Sequence, residues 1–235
     1  MNINKNIVVL TLFSIAMGLL EAAVVIYLRK LYYTHGFEFP LNVINDSVIS
    51  MTELLRELAT LVMLVTVAYL FGRSFYSRMG AFLISFAVWD IFYYIFLKVL
   101  IGWPVSLLTW DVLFLIPVPW VGPVLAPIII SITMILFGLI LIKYDTGLTS
   151  IKFQRTDWLV FTFSSLVVLL SFILDSTQFM LHNNTLSGIF SMNFNQLFVL
   201  LQDYIPRSFR WWIFILGEIG LIMGIGRYWI RLRKN

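Results

Sequence analysis

The feature of this sequence that most constrains its fold is a series of apolar stretches, each long enough to cross a lipid bilayer. A transmembrane helix needs about 20 mostly apolar residues to span the hydrocarbon. Hydrophobic residues make up 60% of the 235 positions and charged residues only 12%, roughly half the charged share of a soluble domain. We expect a single all-α membrane domain over residues 1–235, a bundle of six transmembrane helices at about residues 7–30, 51–72, 79–98, 122–142, 158–175 and 211–229.

Two further apolar segments are not expected to cross the membrane. Residues 112–120 carry prolines and precede span four. Proline removes a backbone donor and blocks regular helix, so we interpret this stretch as an interfacial or re-entrant segment. Residues 188–202 are apolar but contain Asn193, Asn195 and Gln202. This pattern favours a helix that lies on the membrane surface between spans five and six.

The distribution of lysine and arginine predicts the orientation of the chain. Six spans place both termini on one side, where ten basic residues lie, against five on the other side. A Lys/Arg excess marks the cytoplasmic side. We therefore expect a multi-pass protein of the inner membrane with both termini in the cytoplasm. On this interpretation the net charge of +4 is a topology signal, and we expect the lipid bilayer and no nucleic acid as its partner.

Several ionisable residues lie inside or beside the predicted spans. A charged side chain in hydrocarbon is costly and usually faces a protein interior or a wet cavity, so each is a site candidate. We expect these groups to share one outward-opening pocket formed by spans one, two, three and six. The ligand- or ion-binding candidates are Glu21, Glu53, Arg56, Glu57, Asp90, Tyr94, Asp111 and Glu218.

Aromatic residues cluster in the third span and in the connection that follows it. Tryptophan and tyrosine provide flat amphipathic surfaces that carry a hydrogen-bond donor. We expect the walls of the pocket to include Trp89, Tyr93, Trp103, Trp110 and Trp120. The alternative is an aromatic belt at the membrane interface with a proline-rich connector.

Several familiar chemistries find no support in the sequence. Without cysteine there is no disulfide, thiol nucleophile or thiolate metal site. The two histidines, His35 and His182, are not spaced as a helical metal pair. Gly-rich phosphate loops, G-x-S-x-G and H-E-x-x-H are missing as well. The sequence identifies no cofactor and no metal.

Five short stretches carry a resemblance. They are Glu21–Ala23, Glu53–Glu57, Trp89–Asp90, Trp110–Asp111 and Pro117–Trp120. Together they resemble a group of uncharacterised prokaryotic polytopic membrane proteins, over roughly the first 130 residues. The resemblance implies no activity, substrate or cofactor.

Three functional hypotheses follow from the charged residues. The first is binding or passage of a cation or small polar solute, coupled to protons because buried acids beside arginine can exchange them. The second is an intramembrane enzyme that acts on a lipid-linked or amphiphilic substrate. The third is an accessory subunit whose polar cluster only fixes helix packing. The face with Gly217, Gly220 and Gly224 is a candidate helix-packing or oligomer surface.

Overall fold

The structure is a computed structural model that describes residues 3–33, 37, 39–40, 47–114, 118–145, 152–183 and 203–234. Six helices form the described part of the chain, together with two short strands. Each of the six is long and apolar enough to cross a membrane, which confirms the prediction of a helical bundle with six candidate spans. The helices are α1 (Ile3–Tyr32), α2 (Ser47–Phe71), α3 (Phe75–Ile101), α4 (Leu125–Tyr144), α5 (Arg155–Asn183) and α6 (Trp211–Lys234).

Most helices extend beyond the predicted spans. Helix α2 begins at Ser47, so Glu53, Arg56 and Glu57 lie inside a helix of 25 residues. Helix α5 continues to Asn183 instead of ending near residue 175. The last turns of α5 are polar, and they contact the hairpin. There Ser176 Oγ donates a hydrogen bond to the Pro119 carbonyl at 2.7 Å. Hydropathy alone underestimates the length of such helices, because hydrogen bonds to neighbouring segments stabilise their polar ends.

Helix α3 has well-defined ends. Ser74 caps its N-terminus, because its side chain accepts a hydrogen bond from the Ser77 backbone N–H. Gly102 terminates it with φ of 72°, and its N–H donates to the Lys98 carbonyl. This left-handed conformation favours glycine. Helix α3 is therefore delimited by its own sequence.

The proline-rich region forms a β-hairpin in its described residues. Strand β1 (Trp110–Phe114) pairs antiparallel with β2 (Trp120–Pro123), and a bulge interrupts the register between Val112 and Phe114. Helix α4 therefore begins at Leu125 and not near residue 122. β-branched and aromatic residues favour strands, and Pro119 lies directly before β2, where a proline costs no ladder hydrogen bond. The expectation of a single interfacial or re-entrant segment did not allow for this pairing. The predicted surface helix at residues 188–202 lies outside the described residues.

Helices α3 and α4 pack at close range in the centre of the bundle. A Cβ atom placed on Gly80 would lie 2.8 Å from the Gly138 carbonyl oxygen, and one on Gly138 would lie 2.7 Å from the Gly80 carbonyl oxygen. The two backbones are thus in direct contact. Helix α1 packs on α3 as well, so α3 is the central element that positions the others.

The glycine stripe of α6 packs inside the same chain. Cβ atoms built on Gly217, Gly220 and Gly224 would meet side chains of α5. Val168 and Ser164 are among the residues they would meet. The face is therefore a helix-packing surface, one of the two roles expected for it, because α5 covers it. Small residues here allow two helices to approach closely within one protomer.

The two ends of the bundle are distinct clusters of aromatic and apolar side chains. At one end, residues that follow α1, α3 and α5 pack against Phe179, which lies in the last turns of α5; they are Phe39, Trp110, Val121 and Tyr204. At the other end, the start of α3 meets the ends of α4 and α6; the members include Tyr76, Tyr144, Phe153, Tyr228 and Leu232. The hairpin lies at the first end, opposite the end of α6 that leads to the C-terminus.

Candidate functional site

A cavity of about 260 Å³ lies beneath the hairpin, between the helices. Helices α1 to α5 and both strands contribute to its lining, and α6 does not. Seven of the eight predicted ligand-binding candidates line it: Glu21, Glu53, Arg56, Glu57, Asp90, Tyr94 and Asp111. Residues far apart in the sequence therefore meet around one space.

Three of the five expected wall residues line the cavity, namely Trp89, Tyr93 and Trp120. Trp103 does not; its ring covers the Arg29 guanidinium, with the Arg29 Cζ atom 3.7 Å from the ring centroid. Trp110 packs against Phe209, with ring centroids 6.3 Å apart. Trp103 and Trp110 therefore do not line the cavity, and each packs against other side chains instead.

Glu218 lies outside the cavity lining. It is buried, and Thr133 Oγ1 of α4 donates a hydrogen bond to its Oε1 atom. The packing of the α6 glycine stripe against α5 leaves Glu218 facing α4. The expected contribution of span six to the pocket is therefore not found.

Arg56 links two helices through two carboxylates, and we call Glu21, Glu53 and Arg56 the Arg56 cluster. Arg56 Nη2 donates to Glu53 Oε2 at 2.7 Å within α2, and Arg56 Nε donates to the same oxygen at 3.0 Å. Arg56 Nη1 is also paired with Glu21 of α1. Thr60 Oγ1 donates to the second oxygen of Glu21 at 3.1 Å. The cluster holds α1 against α2 by mutual neutralisation.

A second ion pair joins α1 to the hairpin, and we call Arg29, Tyr94 and Asp111 the Arg29 cluster. Arg29 Nη2 lies 3.4 Å from Asp111 Oδ1, and the Tyr94 hydroxyl donates to Asp111 Oδ2 at 3.2 Å. Burial raises the pKa of Asp111 above its ordinary value, and the Arg29 charge and the Tyr94 hydrogen bond oppose that rise. The guanidinium of Arg29 also lies over the Phe37 ring, 4.3 Å from its centroid.

Asp90 differs from these acids. It lies in the middle of α3 and lines the cavity, where part of its surface remains accessible. Ser131 Oγ of α4 donates to Asp90 Oδ2 at 2.9 Å. Among the described residues no lysine, arginine or histidine lies within ion-pair distance of Asp90. A carboxylate at this depth without a basic partner carries an uncompensated desolvation cost unless it binds a proton or a cation.

Aromatic rings surround the side of the cavity that contains Asp90. Phe86 and Trp89 of α3 are in edge contact, with centroids 5.2 Å apart. Phe114 of β1 stacks on Phe86 at 6.4 Å, and Trp120 of β2 lies 5.4 Å from Phe114. The cavity therefore has two ion-pair clusters, and an aromatic wall on the side of Asp90.

Sequence reasoning missed Arg29, Thr60 and Ser131 in the lining. Arg29 is one of the five basic residues that the sequence analysis counts on the outer side of the membrane. A signal was present, since Glu21, Val25 and Arg29 recur every four residues and share one helix face. Thr60 and Ser131 are common in transmembrane helices, so nothing in the sequence singled them out.

The acids of the cavity are not arranged as a metal centre. In the part of the chain that the structure describes, no group of three or more His, Cys, Asp or Glu residues is placed to hold a metal ion. Arginine already pairs with Glu21, Glu53 and Asp111. The arrangement can instead hold a charge or a proton at Asp90.

Comparison of the chain with models of known protein families, with curated proteins and with solved structures finds no match in any of the three.

Proposed function

We propose that the protein is an integral membrane protein that binds or conducts a cation or small polar solute through this cavity, in exchange for a proton. The observation that carries the proposal is the position of Asp90. Its carboxyl group lines a cavity at membrane depth, and its hydrogen bond from the described residues comes from Ser131. Asp90 is the group at which a proton and a cationic ligand would compete.

The charge balance of the cavity supports a cationic ligand. Five acids and two arginines line the cavity. Arg56 is shared between Glu21 and Glu53, and Arg29 is paired with Asp111. The basic residues are thus occupied, and the surplus of acids makes the cavity favourable for positive charge.

Proton exchange follows from the same arrangement. A buried carboxylate without a cation beside it is stabilised by binding a proton, and one beside a cation is stabilised as the anion. Arrival of a cation at Asp90 would therefore release a proton, and departure of the cation would take one up. This exchange provides the coupling that a proton-linked binding protein or transporter requires.

The proposed orientation places the cavity toward the outer face of the inner membrane. The cavity lies near the hairpin, opposite the end of the bundle where α4 and α6 finish. The excess of lysine and arginine on the side of the termini supports a cytoplasmic location for both termini.

The test is cation binding by the full-length protein in lipid nanodiscs, with proton release recorded in a weakly buffered solution. Asp90→Asn should abolish both binding and proton release. Glu218→Gln is the matched control, because Glu218 is also a buried acid in a helix but does not line the cavity. Unchanged cation binding by Asp90→Asn would overturn the proposal.

A further inference from the structure

The cavity wall beside Asp90 is built from aromatic rings on three elements. Phe86 lies one helical turn before Asp90 and Tyr93 three residues after it, so both share its face of α3. The hairpin adds Phe114, which stacks on Phe86, and Trp120, which contacts Phe114. The Asp90 carboxyl group and these four rings therefore line the same cavity.

We propose that the occupant of this cavity is a small organic ammonium ion, and this inference rests on the proposed function. The face of an aromatic ring carries negative electrostatic potential and attracts organic cations, and quaternary ammonium groups are commonly bound in aromatic cages. Asp90 would provide the counter-charge. The rings would contact the alkyl groups, which lose unfavourable contact with water on binding.

The side chains that line the cavity near Asp90 are a poor set of ligands for a metal ion. Calcium takes six to eight oxygen ligands and magnesium requires a near-octahedral set. Near Asp90 the described side chains provide the Asp90 carboxyl group and the Ser131 hydroxyl group. No group of three or more potential metal ligands occurs in the described part of the chain. Aromatic rings cannot replace the missing oxygen ligands, but they suit an ion whose charge is spread over alkyl groups.

The size of the cavity limits the ligand. Its volume of about 260 Å³ falls just below the range of roughly 300–1,000 Å³ that is usual for pockets of drug-sized ligands. An ammonium ion that carries a few carbon atoms fits this space. A long alkyl chain would have to extend beyond it.

The experiment is calorimetric titration of the full-length protein in nanodiscs with tetramethylammonium, sodium and potassium. The neutral compound tert-butanol serves as a control of similar shape. We expect tetramethylammonium to bind at least tenfold more tightly than sodium, potassium or tert-butanol. Phe86→Leu and Phe114→Leu should each weaken its binding by roughly three- to thirtyfold, because leucine keeps the apolar contact and removes the ring. Phe137→Leu, in an aromatic cluster elsewhere, should leave the affinity unchanged.

The possible results separate the inference from the proposed function. If sodium or potassium bound in an Asp90-dependent manner and tetramethylammonium did not compete, the inference of an organic ammonium ion would be overturned. The proposed function would stand. Equal tetramethylammonium affinity in wild type, Phe86→Leu and Phe114→Leu would overturn the role of the rings. Failure of every cation to bind in an Asp90-dependent manner would overturn both.

Discussion

Arg29 Nη2 lies 3.4 Å from Asp111 Oδ1, and this ion pair joins the last turn of α1 to strand β1 across 82 positions of sequence. Both side chains are almost inaccessible, with exposed fractions of 9% and 3%. The pair closes one side of the cavity and positions the hairpin above it. Its electrostatic balance leads to a prediction about pH.

The free energy of unfolding should fall as pH rises through the pKa of Asp111. Burial raises this pKa in the folded protein above the ordinary value of 3.8, although Arg29 and Tyr94 oppose the rise. The folded protein therefore binds the proton more tightly than the unfolded chain does. The proton stabilises the fold at low pH, and this contribution is lost as Asp111 ionises.

The measurement is the free energy of unfolding of wild type and Asp111→Asn in mixed micelles, from about pH 4 upward. It tests the direction in which stability changes with pH. The stability of wild type relative to the variant should decrease as pH rises. Arg29 and Tyr94, which contact Asp111, are present in both proteins. A relative stability that increases with pH would mean that the Arg29 charge outweighs burial.

Removal of Arg56 should destabilise the bundle, and removal of the whole Arg56 cluster should restore much of the loss. Arg56→Met leaves Glu21 and Glu53 without their cation, and breaking a largely buried ion pair costs about 3–5 kcal/mol. The lower value is expected because the Arg56 side chain is 20% exposed. The triple variant with Glu21→Gln and Glu53→Gln removes the unpaired charges, and unfolding in mixed micelles measures each step.

Cation binding by the same triple variant tests whether the Arg56 cluster is structural. We expect binding to weaken by less than about tenfold, because Asp90 remains. Each kcal/mol of electrostatic attraction lost from the binding free energy changes the affinity about fivefold. Complete loss of binding despite recovered stability would move the ligand site from Asp90 to the Arg56 cluster.

Gly138→Ala should destabilise the packing of α3 on α4. The added methyl group would lie 2.7 Å from the Gly80 carbonyl oxygen, and overpacking typically costs about 1–3 kcal/mol. Gly226→Ala is the matched control, because a Cβ atom there meets nothing within 4 Å. That variant should be neutral or more stable by up to about 1 kcal/mol, since alanine favours helix over glycine. Equal thermal stability of the two variants would contradict the close backbone contact.

The proposed orientation predicts the labelling of introduced cysteines. The chain has no cysteine, so single reporters carry no background. Ser106→Cys, in the exposed connection after α3, should react with a membrane-impermeant maleimide in intact cells. Lys152→Cys, exposed before α5, should react only after the cells are lysed. The reverse pattern would place the termini outside.

The six helices of membrane-spanning length could be predicted from the sequence because a bilayer would act on each segment separately. Apolar length is a local property, so runs such as that in span four are visible without knowledge of their neighbours. Short polar stretches at the ends of helices are harder to predict from the sequence. Ser176 extends α5 because of its bond to the carbonyl of Pro119 in the hairpin, and that partner is distant in sequence.

Candidate site residues were visible as well, because an ionisable group in an apolar run stands out by its cost in hydrocarbon. This rule selected Glu21, Asp90 and Glu218 alike. It could not separate them, since all three satisfy it equally. The rule also passed over Arg29, which lies at a helix end where arginine is common.

The apolar runs alone were enough to predict six helices of membrane-spanning length with a few charged groups inside them, because both features are read from the cost of polar atoms in hydrocarbon. Which of those groups meet depends on how the helices and the hairpin pack. Glu218 faces Thr133 because glycines press α6 against α5, whereas Asp90 lines the cavity and Asp111 reaches Arg29. Helix rotation and the pairing of the hairpin set these partners, and both depend on packing between segments that are remote in the chain.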